Sequence, residues 1–401
     1  MDIDVLILGA GPAGLSTALH IARDFPLLAT RVLVLDKARH PRFKLCAGGL
    51  TLDAETILRR LSLDVGEVPH VDASAAHLDF AGKGLSVQNR KGHTLRVIRR
   101  DEFDAWLAKK AESRGIEIRE QVTVKEVRAD SKGVTVVTDI GEFRAQVVVG
   151  ADGSNGVTRR SILPNEPVHT ARVLEVITPD VVRNGIPQPP TLAGFHPAPR
   201  SGQHEENHAF FDFFCIPSGI EGYTWDFPTQ INGQPMRCWG IYDANLYPGQ
   251  SKPPLKETLA DEMSRHGFDL DEFELKGHPI RWFDPWTTLS VPRVLLAGDA
   301  AGADPLFGEG ISMALGYGAL AAREIGEAFQ RGNFSFSGYR RRVARSGLGQ
   351  TLIARWLFAY FVYGLKWRWF QILLWRFLKP IVMGVAWLSV LNWAGRLPNK
   401  K

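Results

Sequence analysis

The chain runs to 401 residues, too long for one small core and long enough for two interleaved domains. Hydrophobic residues at 45% and charged residues at 23% are those of an ordinary folded enzyme, and three cysteines without a CxxC exclude a disulfide framework, a zinc site and an iron–sulfur cluster. The net charge of +5 suits an anionic substrate or an anionic membrane surface. It would also suit nucleic acid, but no Lys/Arg run is interleaved with base-stacking aromatics, so no nucleic acid is expected.

The opening reads strand, turn, helix, strand. Val5 to Leu8 is a continuous apolar run suited to a buried parallel strand, and a helix with apolar positions at Leu15, Leu19 and Ala22 follows. Between them Gly9, Gly11 and Gly14 form GxGxxG. Gly9 permits the tight turn, Gly11 lets backbone approach a pyrophosphate, and Gly14 permits close helix–strand packing. The helix N-terminus offers unpaired N–H groups and partial positive charge to the phosphates. A second strand spans residues 31–36 and ends on Asp36, placed to accept hydrogen bonds from an adenosine ribose. A dinucleotide is therefore expected here, with Lys37 and Lys44 added to its binding set.

Further along, residues 102–114 read as a helix with apolar positions at Phe103, Trp106 and Leu107, and residues 146–149 as another buried strand. From about 168 to 280 short alternating runs with frequent Pro and Gly predict an antiparallel sheet. The α/β pattern returns with a strand over 294–297, a turn at Gly298-Asp299 and a helix from about Glu309. The expected fold is α/β: a Rossmann-like domain over 1–167 and 281–345, with a small sheet excursion near 70–98, an interleaved antiparallel-sheet domain over 168–280, and a helical C-terminal region over 346–401.

Four spaced segments carry a resemblance. Residues 148–159 (VVGADGSNGVTR) resemble the DG motif of the para-hydroxybenzoate-hydroxylase-like flavoproteins, and residues 294–301 (VLLAGDAA) resemble their GD motif. Residues 305–312 (PLFGEGIS) resemble the stretch passing the flavin ring, and residues 100–107 (RDEFDAWL) their RxxFDxxL. The resemblance implies FAD, with Asp299 on the ribityl chain, Arg100 and Asp152 at the cofactor, and Gly308, Gly310 and Ile311 beside the ring. Two further segments, residues 44–50 (KLCAGGL) and residues 222–228 (GYTWDFP), resemble motifs of the geranylgeranyl reductase-like branch; the first departs from its Cys-Gly-Gly pattern at Ala47. This branch implies saturation of prenyl double bonds by hydride from reduced flavin, with Cys46, Tyr223 and Trp225 as catalytic-site residues.

Cys46, Tyr223 or a bound water are the expected proton donors, while plain packing accounts equally well for Cys46 and the two aromatics. The fold also serves monooxygenases and quinone-linked electron-transfer flavoproteins, so both stay open. No WxWxIP stretch of a tryptophan halogenase is present. No second GxGxxG marks a nicotinamide site, leaving NADPH or a small redox protein as the electron donor. No metal is expected.

Beyond Leu352 the chain holds Trp356, Trp367, Trp369, Trp375, Trp387 and Trp393, interrupted by Arg355, Lys366, Arg368, Arg376 and Lys379. Arg340, Arg341, Arg342 and Arg345 precede it. Trp favours membrane–water interfaces, and basic interruptions suit helices lying in the interface plane, with Pro380 between two of them. A helical cap on the enzyme's own substrate domain, or a dimer contact, is the alternative. A start without a basic, apolar leader and the sparse cysteines point to a cytoplasmic enzyme, peripheral to a membrane.

Overall fold

The structure is a computed structural model and describes residues 3–89, 92–180 and 207–397. Its first layer is a six-stranded sheet in the order Ser290–Val291, Val294–Leu296, Val147–Gly150, Val5–Leu8, Val32–Leu35, Glu117–Arg119. The central pairs are parallel, and the four residues of Val5–Leu8, Val32–Leu35 and Val147–Gly150 are all buried. Helices cover a parallel sheet on its faces, so its strands read as unbroken apolar runs.

Helix Pro12–Asp24 lies against helix Ile311–Arg331, which ends on Gly332 in a left-handed cap. The two approach closely because small residues face each other: a Cβ on Gly318 would fall 2.5 Å from that of Ser16. Ser16 Oγ donates to the Leu315 carbonyl at 2.7 Å, tying the first helix to one nearly 300 residues later.

The second layer is a seven-stranded sheet in the order Lys276–Arg281, Thr170–Pro179, Gln234–Asp243, Gly222–Ile231, His208–Asp212, Ala75–Phe80, Lys83–Gln88. The excursion expected near 70–98 differs from the sequence reading. Its strands Ala75–Phe80 and Lys83–Gln88 extend this large sheet, and the join to His208–Asp212 is parallel. The edge of His208–Asp212 would otherwise present unpaired backbone groups. Residues 168–280 thus supply most of the sheet but not all of it.

The C-terminal helices Gly347–Gly364, Arg368–Phe377 and Lys379–Leu388 close the molecule, the last two bent by 78°. Pro380 sits in the first turn after that break, where a missing N–H costs nothing. No single helix among the described residues is long and apolar enough to cross a membrane; the bent pair passes that test only when taken together.

Candidate active site

At the nucleotide end the glycines are required by geometry. Gly9 has φ +108°, and a Cβ on Gly14 would fall 1.9 Å from the Gly9 carbonyl oxygen. Above Gly11 the nearest atom to such a Cβ is Arg42 Nη2 at 3.6 Å, so the turn forms an open cradle roofed by a cation. No side chain caps helix Pro12–Asp24, which leaves its first-turn N–H groups turned toward that cradle. An anionic diphosphate fits this arrangement.

Asp36 is buried, and its two oxygens accept from the Ala10 and Ala38 amides at 2.7 and 2.8 Å. These bonds fix the carboxylate at the end of its strand and leave lone pairs for ribose hydroxyls. Lys37 is exposed. Arg42 also stands 3.3 Å from Asp104, which in turn holds Arg100 through two parallel bonds of 2.9 and 2.8 Å. Burial works against the Arg100 charge, but Asp104 outweighs it and keeps the guanidinium protonated.

Asp299 sits in the single turn Gly298–Ala300, whose Gly298 (φ +62°) lies against Ala13 of the fingerprint helix. Its Oδ2 accepts from Ser154 Oγ at 3.3 Å. Around it gather Lys44, Arg100 and Gly310, where a Cβ would be 3.6 Å from Asp299 Oδ1. Lys44 Nζ lies 2.6 Å from His278 Nε2; burial pulls both groups down, His278 to about 4, so the imidazole is neutral and accepts. Asp152 stays behind this cluster. Its Oδ2 accepts from Thr158 N and Oγ1 at 2.8 and 2.9 Å, capping helix Val157–Ile162, while Oδ1 is buried without a partner.

Residues 304–310 are held from outside the nucleotide domain. Three tyrosine hydroxyls donate to three successive carbonyls: Tyr242 to Pro305 at 2.9 Å, Tyr363 to Leu306 at 2.5 Å and Tyr223 to Phe307 at 2.5 Å. Asp304 accepts from the Leu306 and Phe307 amides at 2.7 and 3.1 Å. Arg355, from helix Gly347–Gly364, bridges Asp304 at 2.7 Å and Glu309 with its side chain 2% exposed. Gly308 (φ +65°) is packed on the Tyr242 ring and Ile311 opens the next helix, buried. This loop is therefore a preorganised shelf, its backbone pinned by two sheet strands and a C-terminal helix.

Opposite the shelf, the large sheet presents an aromatic face. Phe211 lies 5.4 Å from Tyr223, 4.9 Å from Phe227 and 6.3 Å from Phe307, centroid to centroid. Trp225 crosses to Gly240, where any Cβ would meet its ring at 2.0 Å, and its Nε1 is buried without a partner. Residues 44–50 run along this face: Lys44 meets His278, and a Cβ on Gly49 would lie 3.5 Å from the Phe227 ring. Cys46 is half-buried, and burial raises its thiol above the ordinary range.

Most of the expected residues thus converge: Gly9, Gly11, Gly14 and Asp36 at one end, and Lys44, Cys46, Arg100, Asp299, Gly308, Gly310 and Ile311 further in, with Tyr223 and Trp225 facing them. Tyr223 is less suited to donating a proton than expected, since its hydroxyl is spent on Phe307 and burial drives its pKa far upward. Sequence reading missed Arg42, Glu175, Tyr242, His278 and Arg355 as site residues, and for all but Glu175 nothing local marks them in that role. Glu175 alone left a trace, as an acid at an inward position of the apolar run Val173–Ile177.

Fold and site together define an FAD-dependent oxidoreductase, and comparison with known proteins agrees. The FAD binding domain family matches residues 2–191. The chain is 30% identical over 362 residues to an uncharacterized protein of Methanosarcina barkeri, covering 89% of this chain and 83% of that one. It is 28% identical over 335 residues to a geranylgeranyl diphosphate reductase of Rhodobacter capsulatus, covering 80% of this chain and 74% of the relative. In structure it is similar to a geranylgeranyl bacteriochlorophyll reductase-like protein of Thermoplasma acidophilum, with TM-score 0.71 and 20% identity over 90% of this chain and 88% of that one. The chain is an FAD-dependent oxidoreductase, similar at modest identity to proteins named geranylgeranyl reductases.

Proposed function

We propose that the protein saturates double bonds of a prenyl lipid at a membrane surface. The observation that carries this reading is the aromatic face of Phe211, Tyr223, Trp225 and Phe227 set against the pinned shelf at Phe307. An isolated alkene has no polar handle, so position must come from shape and apolar area, and the rigid sheet supplies both. Bound FAD, once reduced by NADPH or a small redox protein, supplies hydride. The protein's part is to hold the cofactor through the Gly9–Gly14 cradle, Arg42, Arg100 and Asp299, and to exclude water from the face opposite.

The membrane reading rests on how the C-terminal helices divide their surface. Trp375 stacks on Phe213 at 4.1 Å and Trp393 is fully buried, whereas Trp367, Trp369, Phe377, Ile381, Trp387 and Leu388 are 59 to 76% exposed. One face is a cap on the enzyme; the other is an apolar patch flanked by Arg368 and Lys379, suited to an anionic bilayer surface on the cytoplasmic side.

Anaerobic incubation of reduced holoenzyme with a geranylgeranyl compound is expected to give products heavier by two mass units or multiples of two. An oxygen requirement with a gain of sixteen would establish a hydroxylase instead. The triple substitution of Trp367, Trp369 and Trp387 by Ser is expected to abolish flotation with anionic vesicles and to leave the melting temperature nearly unchanged, since exposed positions rarely shift stability by more than about 0.5 kcal/mol each. Flotation of the triple variant at wild-type levels would refute the membrane surface.

A further inference from the structure

Reduction of an alkene needs, besides hydride, an acid that delivers the second hydrogen as a proton. Strand Thr170–Pro179 runs through the large sheet beside the aromatic face, and its register locates one carboxyl group there. Glu175 pairs with Gly240, which pairs with Trp225, which pairs with Phe211. Directly opposed residues share a face, so Glu175 stands in the same row as the two aromatics. Gly240 has no side chain to separate them, and the Trp225 ring fills that gap.

Glu175 is 4% exposed, and its Oε2 has no hydrogen-bond partner. The groups acting on the carboxyl come from every side: the Cys46 backbone amide from the loop beside Asp299, the Cys238 thiol from the next strand, and the charges of Lys276 and Arg99. Neither cation forms an ion pair with it; Lys276 is engaged with Glu274 at 2.9 Å and Arg99 with Asp101 at 2.8 Å. A buried carboxyl with an unsatisfied oxygen is costly unless it is protonated or has work to do.

We propose that Glu175 is the acid that protonates the alkene carbon adjacent to the one receiving hydride. The inference rests on the prenyl-reductase reading above. In the step, the Glu175 O–H bond breaks and a C–H bond forms at one alkene carbon, while hydride from reduced FAD forms the second C–H bond and the π bond is consumed. The alkene gains two electrons and two hydrogens, the flavin is oxidised by two electrons, and Glu175 is left as a carboxylate that takes a proton back from water. A pyridine nucleotide or a redox protein then reduces the flavin again.

Burial raises the Glu175 carboxyl to about 7, against the opposing pull of the Cys46 amide, the Cys238 thiol, Lys276 and Arg99. An acid with this pKa is protonated below neutral pH, about half protonated at it, and can still release its proton, which suits general acid work. The alternatives are weaker acids in place: burial raises the thiols of Cys46 and Cys238, and the Tyr223 hydroxyl is committed to the Phe307 carbonyl. A simple alkene is a poor base, so the strongest positioned acid is the effective one.

Two measurements on the full-length, FAD-loaded protein test the assignment. Infrared difference spectroscopy should show a protonated carboxyl band that titrates near neutral pH, is absent in E175Q and is shifted in frequency in E175D. In anaerobic single turnover, E175Q should keep its FAD and its rate of flavin reduction, yet slow reoxidation by a geranylgeranyl substrate about a hundredfold or more. E175D should recover part of that rate with a displaced pH profile, which a merely structural role would not produce. Reoxidation of E175Q within about threefold of wild type, or absence of the band in wild type, overturns the proposal. If wild type itself leaves the alkene unreduced, the prenyl reading falls and the donor role with it, whether or not the band is present.

Discussion

The nucleotide end and the C-terminal helices of this enzyme both build the candidate site, but by opposite means. Between Val5 and Asp36 a strand, a glycine turn, a helix and a second strand follow one another along the chain, and the cradle they form depends on near neighbours. Gly14 answers to the Gly9 carbonyl five residues back, although Gly9 itself packs on the Ala151 backbone and Gly11 lies under Arg42. The helices after Ser346 act at a distance. Arg355 bridges Asp304 and Glu309 some fifty residues back, Tyr363 pins Leu306, and the Ala394 amide donates to Asp53 at 2.7 Å. A motif made of neighbours is recognisable as a pattern; a clamp made of distant side chains is recognisable only when folded.

Removing one part of each region should sharpen the contrast. Gly14→Val should yield no folded yellow protein, because its Cβ would overlap backbone that cannot move, and recovery of normal FAD content would disprove the close packing. Arg355→Met should fold but lose about 3–5 kcal/mol, the cost of leaving buried carboxylates without their cation. Thermal denaturation measures this, and the loss should shrink at low pH, where Asp304 and Glu309 take up protons. Its FAD should also dissociate more readily, since the shelf loses its clamp. If Arg355→Met matches wild type in both respects, the C-terminal helices are not part of the cofactor site.

Asp299→Ala removes a side chain that would meet the cofactor rather than the fold. It should weaken FAD binding about ten- to hundredfold, the equivalent of roughly 1.5–3 kcal/mol for a charge-assisted hydrogen bond, with little change in apoprotein stability. Flavin fluorescence on titration reads this directly.

The smallest expected effect is at Asp53. Burial raises its carboxyl to about 6 although the Ala394 amide opposes the shift, so the folded state holds a proton there more tightly than the unfolded chain does. The stabilising contribution is complete below the unfolded value of 3.8 and is lost as pH rises through about 6. Asp53→Asn keeps an oxygen for Ala394 and removes the titration. Its melting temperature should depend less on pH across that window, and near pH 7 it should equal or exceed wild type. An unchanged slope would mean that Asp53 does not couple to the docking of the C-terminus.

The aromatic motif at Tyr223 and Trp225 shows where pattern reading stops. Its residues stand on the face turned toward the shelf, but the contact made by each hydroxyl and ring was not readable. Tyr223 donates to Phe307, and Trp225 lies over a glycine that carries no motif of its own. The excursion near 70–98 likewise looked local, and its strands turned out to complete a sheet begun elsewhere.

By itself the sequence determined the strand–turn–helix cradle, the acid at the end of the second strand, the flavin-binding class and the existence of a separate sheet layer. The cradle, the acid and the sheet layer are encoded in short-range periodicity and glycine spacing, where steric limits on the backbone leave few alternatives, whereas the flavin-binding class was read from the resemblance of the segments around Asp152 and Asp299. Only the tertiary structure decided that Arg42 roofs Gly11, that Arg355 and three tyrosines pin residues 304–310, that Glu175 faces Cys46, and that the C-terminal tryptophans divide between core and surface. These depend on strand register and on the burial of charges and hydroxyls that need specific partners, and such partners come from segments that no local pattern connects.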